Sequence, residues 1–252
     1  MRCCWTVAAL LQVIFLAPSD VAQALESTAG LLLQFDGEHD LPAKERLLLT
    51  ITAKDALAGP SLLKLAESTP NSDTRWMAMR GMVTLHYAAA APFLEQSLRH
   101  SDPLVRANAA RSLGDLRIRT AADPLLAMFA TEKEPSALQQ ASLALRMLNI
   151  KAGAPYLREK MPDSTGQTRV WLIQALGALG SAATDVPLIA GYLDDNMMSD
   201  AAAEAIQELT GVRFGTRTLG LTSTPTPETL AARTWWLSHK DEWPRCDECY
   251  RK

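Results

Sequence analysis

Apolar residues recur at three- and four-residue spacing along most of this chain. The run Val105, Ala109, Leu113 and Leu116 lines one face of an α-helix. The same face returns as Ala141, Leu145, Leu148 and again as Leu172, Leu176, Leu179. Short breaks follow these faces, as in Gly177-Ala178-Leu179-Gly180-Ser181, and a proline then stands where a second helix is predicted to begin. Proline suits that place, because a first-turn N–H has no helical partner to lose and the ring presets φ. Asp123, directly before Pro124, is predicted to be an N-cap. Beyond Ala24 the chain has only five valines, so strands have little to be built from. The pattern predicts an all-α fold.

The pattern also repeats. Pro60, Pro92, Pro124, Pro155 and Pro187 lie 32, 32, 31 and 32 residues apart. Met82, Leu113, Leu145, Leu176 and Ile206 follow at intervals of 31, 32, 31 and 30, each with a leucine three residues later. Two ladders of one period describe a helical hairpin used repeatedly. One such hairpin cannot bury its apolar stripe alone, whereas stacking on copies of itself buries both sides. Alanines such as Ala107, Ala109, Ala110 and Ala201 to Ala203 let neighbouring helices approach closely. The expected architecture is an α-solenoid of about five to six hairpins. Residues 25–41 form a leading segment, 42–215 the repeats, 216–227 a Thr- and Pro-rich linker and 228–252 a Trp-rich cap.

Composition adds an address. Arg2, the apolar run Trp5 to Leu16 and the small-x-small triplet Ala22-Gln23-Ala24 read as an export signal over residues 1–24, cut after Ala24. The apolar run is shorter than the roughly 20 residues a bilayer span needs, and no second long one follows. The expectation is a periplasmic or secreted protein with no span in its mature chain. The net charge of −3 argues against a nucleic-acid partner, for which a basic face dominates affinity.

The phrase Asp102-Pro103-Leu104-Val105-Arg106-Ala107-Asn108-Ala109-Ala110-Arg111-Ser112-Leu113-Gly114-Asp115-Leu116 resembles the signature of HEAT repeats, and more closely the bacterial phycobilisome-lyase-like subtype. The resemblance runs from about Leu41 to Gly215. It fades at Lys54, where other units have Leu, and at Met198 and Ser199, which replace the Val-Arg pair. Weakened end units are expected, since terminal repeats face water on one side. The resemblance implies a scaffold or adaptor that binds a protein or peptide along one face. Bilin lyases of this subtype work in the cytosol, which an exported chain does not match. HEAT-repeat hydroxylases carry repeated His-Glu pairs, and none of His39, His86, His100 or His239 precedes a Glu.

Candidate chemistry is sparse. Arg75, Arg106 and Arg169 share one repeat position, each shortly after an aspartate (Asp73, Asp102, Asp163). They read either as a structural ladder, each Arg pairing with a loop Asp of its own or a neighbouring unit, or as a basic row that grips an acidic partner. Trp76 and Trp171 read as packing between repeats or as partner anchors. Trp235 and Trp236 belong to a cap that folds over the last repeat or to a docking tail, one of them being expected to be buried. The possible partner contacts are therefore Trp76, Arg106, Trp171, Arg169 and Trp235. Cys246 and Cys249 are expected to form a small disulfide in an oxidising compartment; zinc binding with His239, or thiol chemistry, is the other reading. Glu38-His39-Asp40 clusters possible metal ligands too tightly for all three to converge on one ion, and no zinc, phosphate-loop or nucleophile-elbow motif is present. No cofactor and no enzymatic activity are expected. The alternative is an accessory factor of a lyase-like enzyme, or a thiol- or metal-active factor using the two cysteines.

Overall fold

The computed structural model describes residues 27–215 and 225–243. Among these residues the fold is all-α, with no strands. The chain divides into two compact units, one ending at Phe93 and the other beginning at Leu94. The residues read as an export signal, most of the expected linker and both cysteines lie outside the described residues.

The first unit holds α1 (Thr28–Gly37), α2 (Leu41–Lys54), α3 (Gly59–Ser68) and α4 (Ser72–Thr84). Residues 28–37, read from sequence as a leading segment, form α1 and pack on α2. Three of the four starts carry a side-chain cap, and the fourth, α3, has Pro60 in its first turn. The Ser27 hydroxyl accepts from the Gly30 N–H, the Asp40 carboxylate from Ala43, and the Asn71 amide oxygen from Asp73 and Thr74. α4 packs on both α3 and α2. Gly81 permits this, since a Cβ there would lie 2.7 Å from Leu48 Cδ1 and 2.9 Å from Leu62 Cδ1. Phe35, Ile51, Leu62 and Met77 fill the core. Lys44 is buried among them, donating to the Thr74 hydroxyl at 2.6 Å with its ammonium 5.4 Å from the centre of the Phe35 ring. Burial pushes this amine below the usual lysine value, against the pull of Asp36, Asp73 and Glu38.

After the short α5 (Ala91–Ser97), the second unit alternates long and short helices. The long ones are α6 (Pro103–Asp115), α8 (Pro135–Met147), α10 (Gly166–Leu179) and α12 (Ser199–Thr210). The short ones are α7 (Ala122–Thr131), α9 (Ala154–Lys160) and α11 (Ala182–Ala190). The long helices stack on one another as a layer, and each short helix packs chiefly on the long helix that follows it. This unit is a short α-solenoid. Where long helices meet, the backbones nearly touch: a Cβ at Gly177 would sit 2.7 Å from Ala205 Cα, and one at Gly114 3.1 Å from Ala144 Cα.

The ends of α4, α6 and α8 share a device not read from sequence. His86, Arg117 and Asn149 have φ of 51°, 59° and 54°. In each case this residue's N–H and the next one close back on the last turn, as in Arg117 N to Gly114 O and Ile118 N to Leu113 O, both at 3.0 Å. The prolines follow the expectation at Pro60, Pro92, Pro124 and Pro155, all in first turns. Two details differ. Asp123 stands inside the first turn of α7 with Ala121 at the cap, whereas Asp102 is the side chain that caps, accepting from Leu104 N on α6. Pro187 lies inside α11, because that helix starts five residues earlier, at Ala182.

A last helix, α13 (Pro227–His239), packs on α12. Its Thr226 and Thr229 hydroxyls donate to Asp200 Oδ1 at 2.9 and 2.7 Å, and Ala232 and Thr229 are buried. It caps the end of this unit. Trp235 and Trp236 are both half-buried rather than buried, since they pack on Trp243 and Phe214 in an aromatic cluster with centroids 5.7 to 6.1 Å apart.

Candidate functional site

The repeat-position arginines build the joints of the stack. Arg75 donates to the Ala66 and Thr69 carbonyls at the end of α3. Arg106 reaches the His100 and Ser101 carbonyls, both at 2.8 Å, after α5. Arg169 reaches Met161 and Pro162 after α9, and its guanidinium lies 5.4 Å from the Tyr192 ring centre. A cation at a helix C-terminus satisfies carbonyls that have no helical partner and opposes the negative end of the dipole. Two more cations serve the remaining ends. On α8 the position is occupied by Leu138, and Lys160 donates instead to the Glu132 carbonyl after α7, at 2.9 Å. Arg233 of α13 donates to the Leu193 carbonyl after α11, at 2.6 Å. The loop aspartates expected to pair with Arg106 and Arg169 are not their hydrogen-bonding partners: carbonyls lie closer to hand, and Asp102 is engaged as a cap.

Arg106 has a second commitment. Its Nε and Nη2 donate to the two oxygens of Glu132 at 2.7 and 2.9 Å, a fork-to-fork pair. The Glu132 side chain is only 4% exposed, and its Oε1 also accepts from the Lys133 and Glu134 N–H groups. Burial raises this carboxyl, but Arg106 and those two N–H groups outweigh it and hold the group below the usual carboxylate value. A similar tie joins α9 to α11, where Arg158 Nε and Nη2 donate to buried Asp185 at 2.5 and 3.0 Å.

The tryptophans differ from one another. In the first unit, Trp76 is half-buried, donates its indole N–H to Asp73 at 3.0 Å, and lies under Arg80, which pairs with Glu45. In the second unit, Trp171 is half-buried and its indole N–H has no partner among the described residues. Trp171 stands five residues before Leu176, as Gln140 does before Leu145 and Asn108 before Leu113. These three half-buried side chains therefore form one row across α10, α8 and α6. The Gln140 amide oxygen in this row is buried and has no hydrogen-bond partner among the described residues. Trp235 stacks on His239 at 4.9 Å.

Glu38-His39-Asp40 is a turn: Glu38 Oε1 accepts from the Asp40 and His39 N–H groups, which lowers its pKa, and Asp40 caps α2. Among the described residues no three His, Cys, Asp or Glu side chains gather as metal ligands, and no helix is long and apolar enough to cross a membrane.

Stacked helical hairpins of about 31 residues, joined by arginines at their turns, define the class of helical-repeat proteins. Residues 59–146, from α3 almost to the end of α8, match the family model described as HEAT repeats. No curated protein matches it. HEAT repeats commonly serve as scaffolds for protein interaction.

Proposed function

We propose that this protein is an exported, non-enzymatic scaffold or adaptor whose second unit docks a protein or peptide partner on its long-helix layer. The observation that carries the reading is Trp171. A half-buried indole offers a large apolar face, and here its N–H has no acceptor among the described residues. Tryptophans of this kind are enriched among residues that dominate binding energy. Asn108 and Gln140 continue the row with amide groups suited to a polar partner surface. Arg106 and Arg169 act in this reading as the supports that hold the row's helices in register. Export rests on residues 1–24, and N-terminal sequencing of the secreted protein should begin at Leu25.

The test places a photocrosslinking residue at exposed Gln167, one helical turn before Trp171, and compares the wild-type background with Trp171→Ala. The expected result is a single dominant crosslinked partner, lost in Trp171→Ala while thermal unfolding still shows a folded chain. A crosslinking pattern unchanged by Trp171→Ala would overturn the reading.

A further inference from the structure

The short helices of the second unit leave a cleft of about 340 Å³. It lies between the end of α5 and α7, beside Arg106 of α6. Leu98, Pro124, Ala127 and Met128 give it an apolar wall, and Arg99, His100, Arg106 and Glu132 give it a polar one. That volume falls at the small end of the range for organic ligands, about 300–1,000 Å³.

The charges within the cleft are unequally engaged. Glu132 is saturated, its two oxygens taking two hydrogen bonds from Arg106 and two from backbone N–H groups. It has little capacity left to attract a cation. Arg106 spends its remaining reach on the His100 and Ser101 carbonyls. Arg99 is exposed, and its guanidinium has no partner among the described residues. His100 Nδ1 accepts from the Asp102 N–H at 3.1 Å, which puts the ring's own N–H on Nε2. Two guanidiniums against one carboxylate leave a single positive charge in excess, beside an apolar wall.

From this we infer that the cleft is a binding site for an aliphatic carboxylate. The carboxylate pairs with the Arg99 guanidinium, and the short hydrocarbon chain packs on Leu98, Pro124 and Met128. One excess positive charge suits a monoanion better than a phosphate dianion. A guanidinium also matches a planar carboxylate in two parallel hydrogen bonds. Such a group is carried by a free short-chain acid or by the last residue of a peptide.

The experiment titrates the folded protein calorimetrically with 4-methylpentanoate and with 4-methylpentanamide, then with N-acetylglycyl-leucine and its C-terminal amide. At least one carboxylate should bind, and its amide at least about tenfold more weakly, because a charge-assisted hydrogen bond is worth that factor or more. Arg99→Gln should lose the same factor with an unchanged melting temperature, since the Arg99 side chain has no partner among the described residues. Ala127→Phe, at an exposed position on α7, should block both carboxylates by filling the cleft. Tighter binding of the free acid assigns the site to a small metabolite, and tighter binding of the peptide assigns it to a chain terminus. Equal binding of acid and amide, no binding of either carboxylate, or unchanged affinity in Arg99→Gln would overturn the inference.

Discussion

The indole N–H of Trp243 donates to the carbonyl of Ala183 at 3.0 Å, sixty residues away. In an uninterrupted helix that carbonyl would accept from the N–H of residue 187. That residue is Pro187, which has none to give. The third ladder step past Pro92 thus leaves a carbonyl that the C-terminal aromatic cluster reaches. Trp243→Phe should keep the ring packing and cost about 1 kcal/mol, the net worth of one hydrogen bond. Pro187→Ala supplies the missing helix N–H, so in that background Trp243→Phe should cost measurably less. Urea unfolding of the two single variants and the double variant gives the coupling directly. Additive effects would show that the two residues do not share the carbonyl.

The Arg106–Glu132 pair makes the second unit acid-sensitive. Its folded carboxyl is held below the ordinary value despite burial. Its contribution is therefore fully present above the unfolded carboxylate pKa of about 4.3, and is lost as pH falls through the lower folded value. Unfolding measured from neutral pH down to about pH 3 should show stability falling in that window in the wild type, and less steeply in Glu132→Gln. Arg106→Ala strands a buried carboxylate and uncaps the end of α5, so it should cost about 3–5 kcal/mol at neutral pH. An equal acid slope in wild type and Glu132→Gln would count against the pair as the source.

The helices and their period were legible because core positions are occupied by one residue class at a fixed interval. Leu113, Leu145 and Leu176 are each wholly buried or nearly so. The joints were less legible. Arg75, Arg106 and Arg169 announced themselves as a series, but their acceptors are backbone carbonyls, and every residue type carries a carbonyl. Lys160 and Arg233 do the same work from other helices and break the periodic signal altogether. Buried Lys44 was missed for a similar reason, since a lysine in an amphipathic stretch reads as surface until Thr74 and Phe35 are seen around it. Trp171 and Trp76 read alike in the sequence, because spacing alone could not distinguish an indole N–H with no partner among the described residues from the one of Trp76 that Asp73 accepts.

The left-handed residues did leave a signal. Each of His86, Arg117 and Asn149 follows a leucine and precedes a large apolar residue, namely Tyr87, Ile118 or Ile150. That trio fits a helix end whose next apolar side chain folds back on the last turn. Asn149 makes the cleanest test, because asparagine tolerates this backbone and Arg117 also donates to the Met147 carbonyl. Asn149→Ala should destabilise by about 1 kcal/mol and Asn149→Gly should be neutral or stabilising. Thermal unfolding of the two variants decides, and the opposite order would contradict the assigned φ.

Gly114 and Gly177 occupy the same face of alternate long helices, yet they should respond differently to alanine. Exchanging a helical glycine for alanine gains about 1 kcal/mol of intrinsic propensity at both sites. At Gly177 the new Cβ would meet Ala205 Cα and Cβ at 2.7 Å, both rigidly attached to α12. Relieving that contact means moving α10 away from α12, and overpacking of this kind costs about 1–3 kcal/mol. At Gly114 the corresponding distances are 3.1 Å to Ala144 Cα, 3.3 Å to its Cβ and 3.3 Å to Met147 Sδ. A displacement of a few tenths of an ångström suffices there, and the thioether can turn aside. Gly177→Ala should therefore lower the melting temperature, while Gly114→Ala leaves it unchanged or raises it. Because Trp171 sits on α10, the same Gly177→Ala shift should weaken partner binding through that row, and Gly114→Ala should not. Equal effects of the two substitutions on stability would show that the long helices approach each other less closely at Ala205 than these distances require.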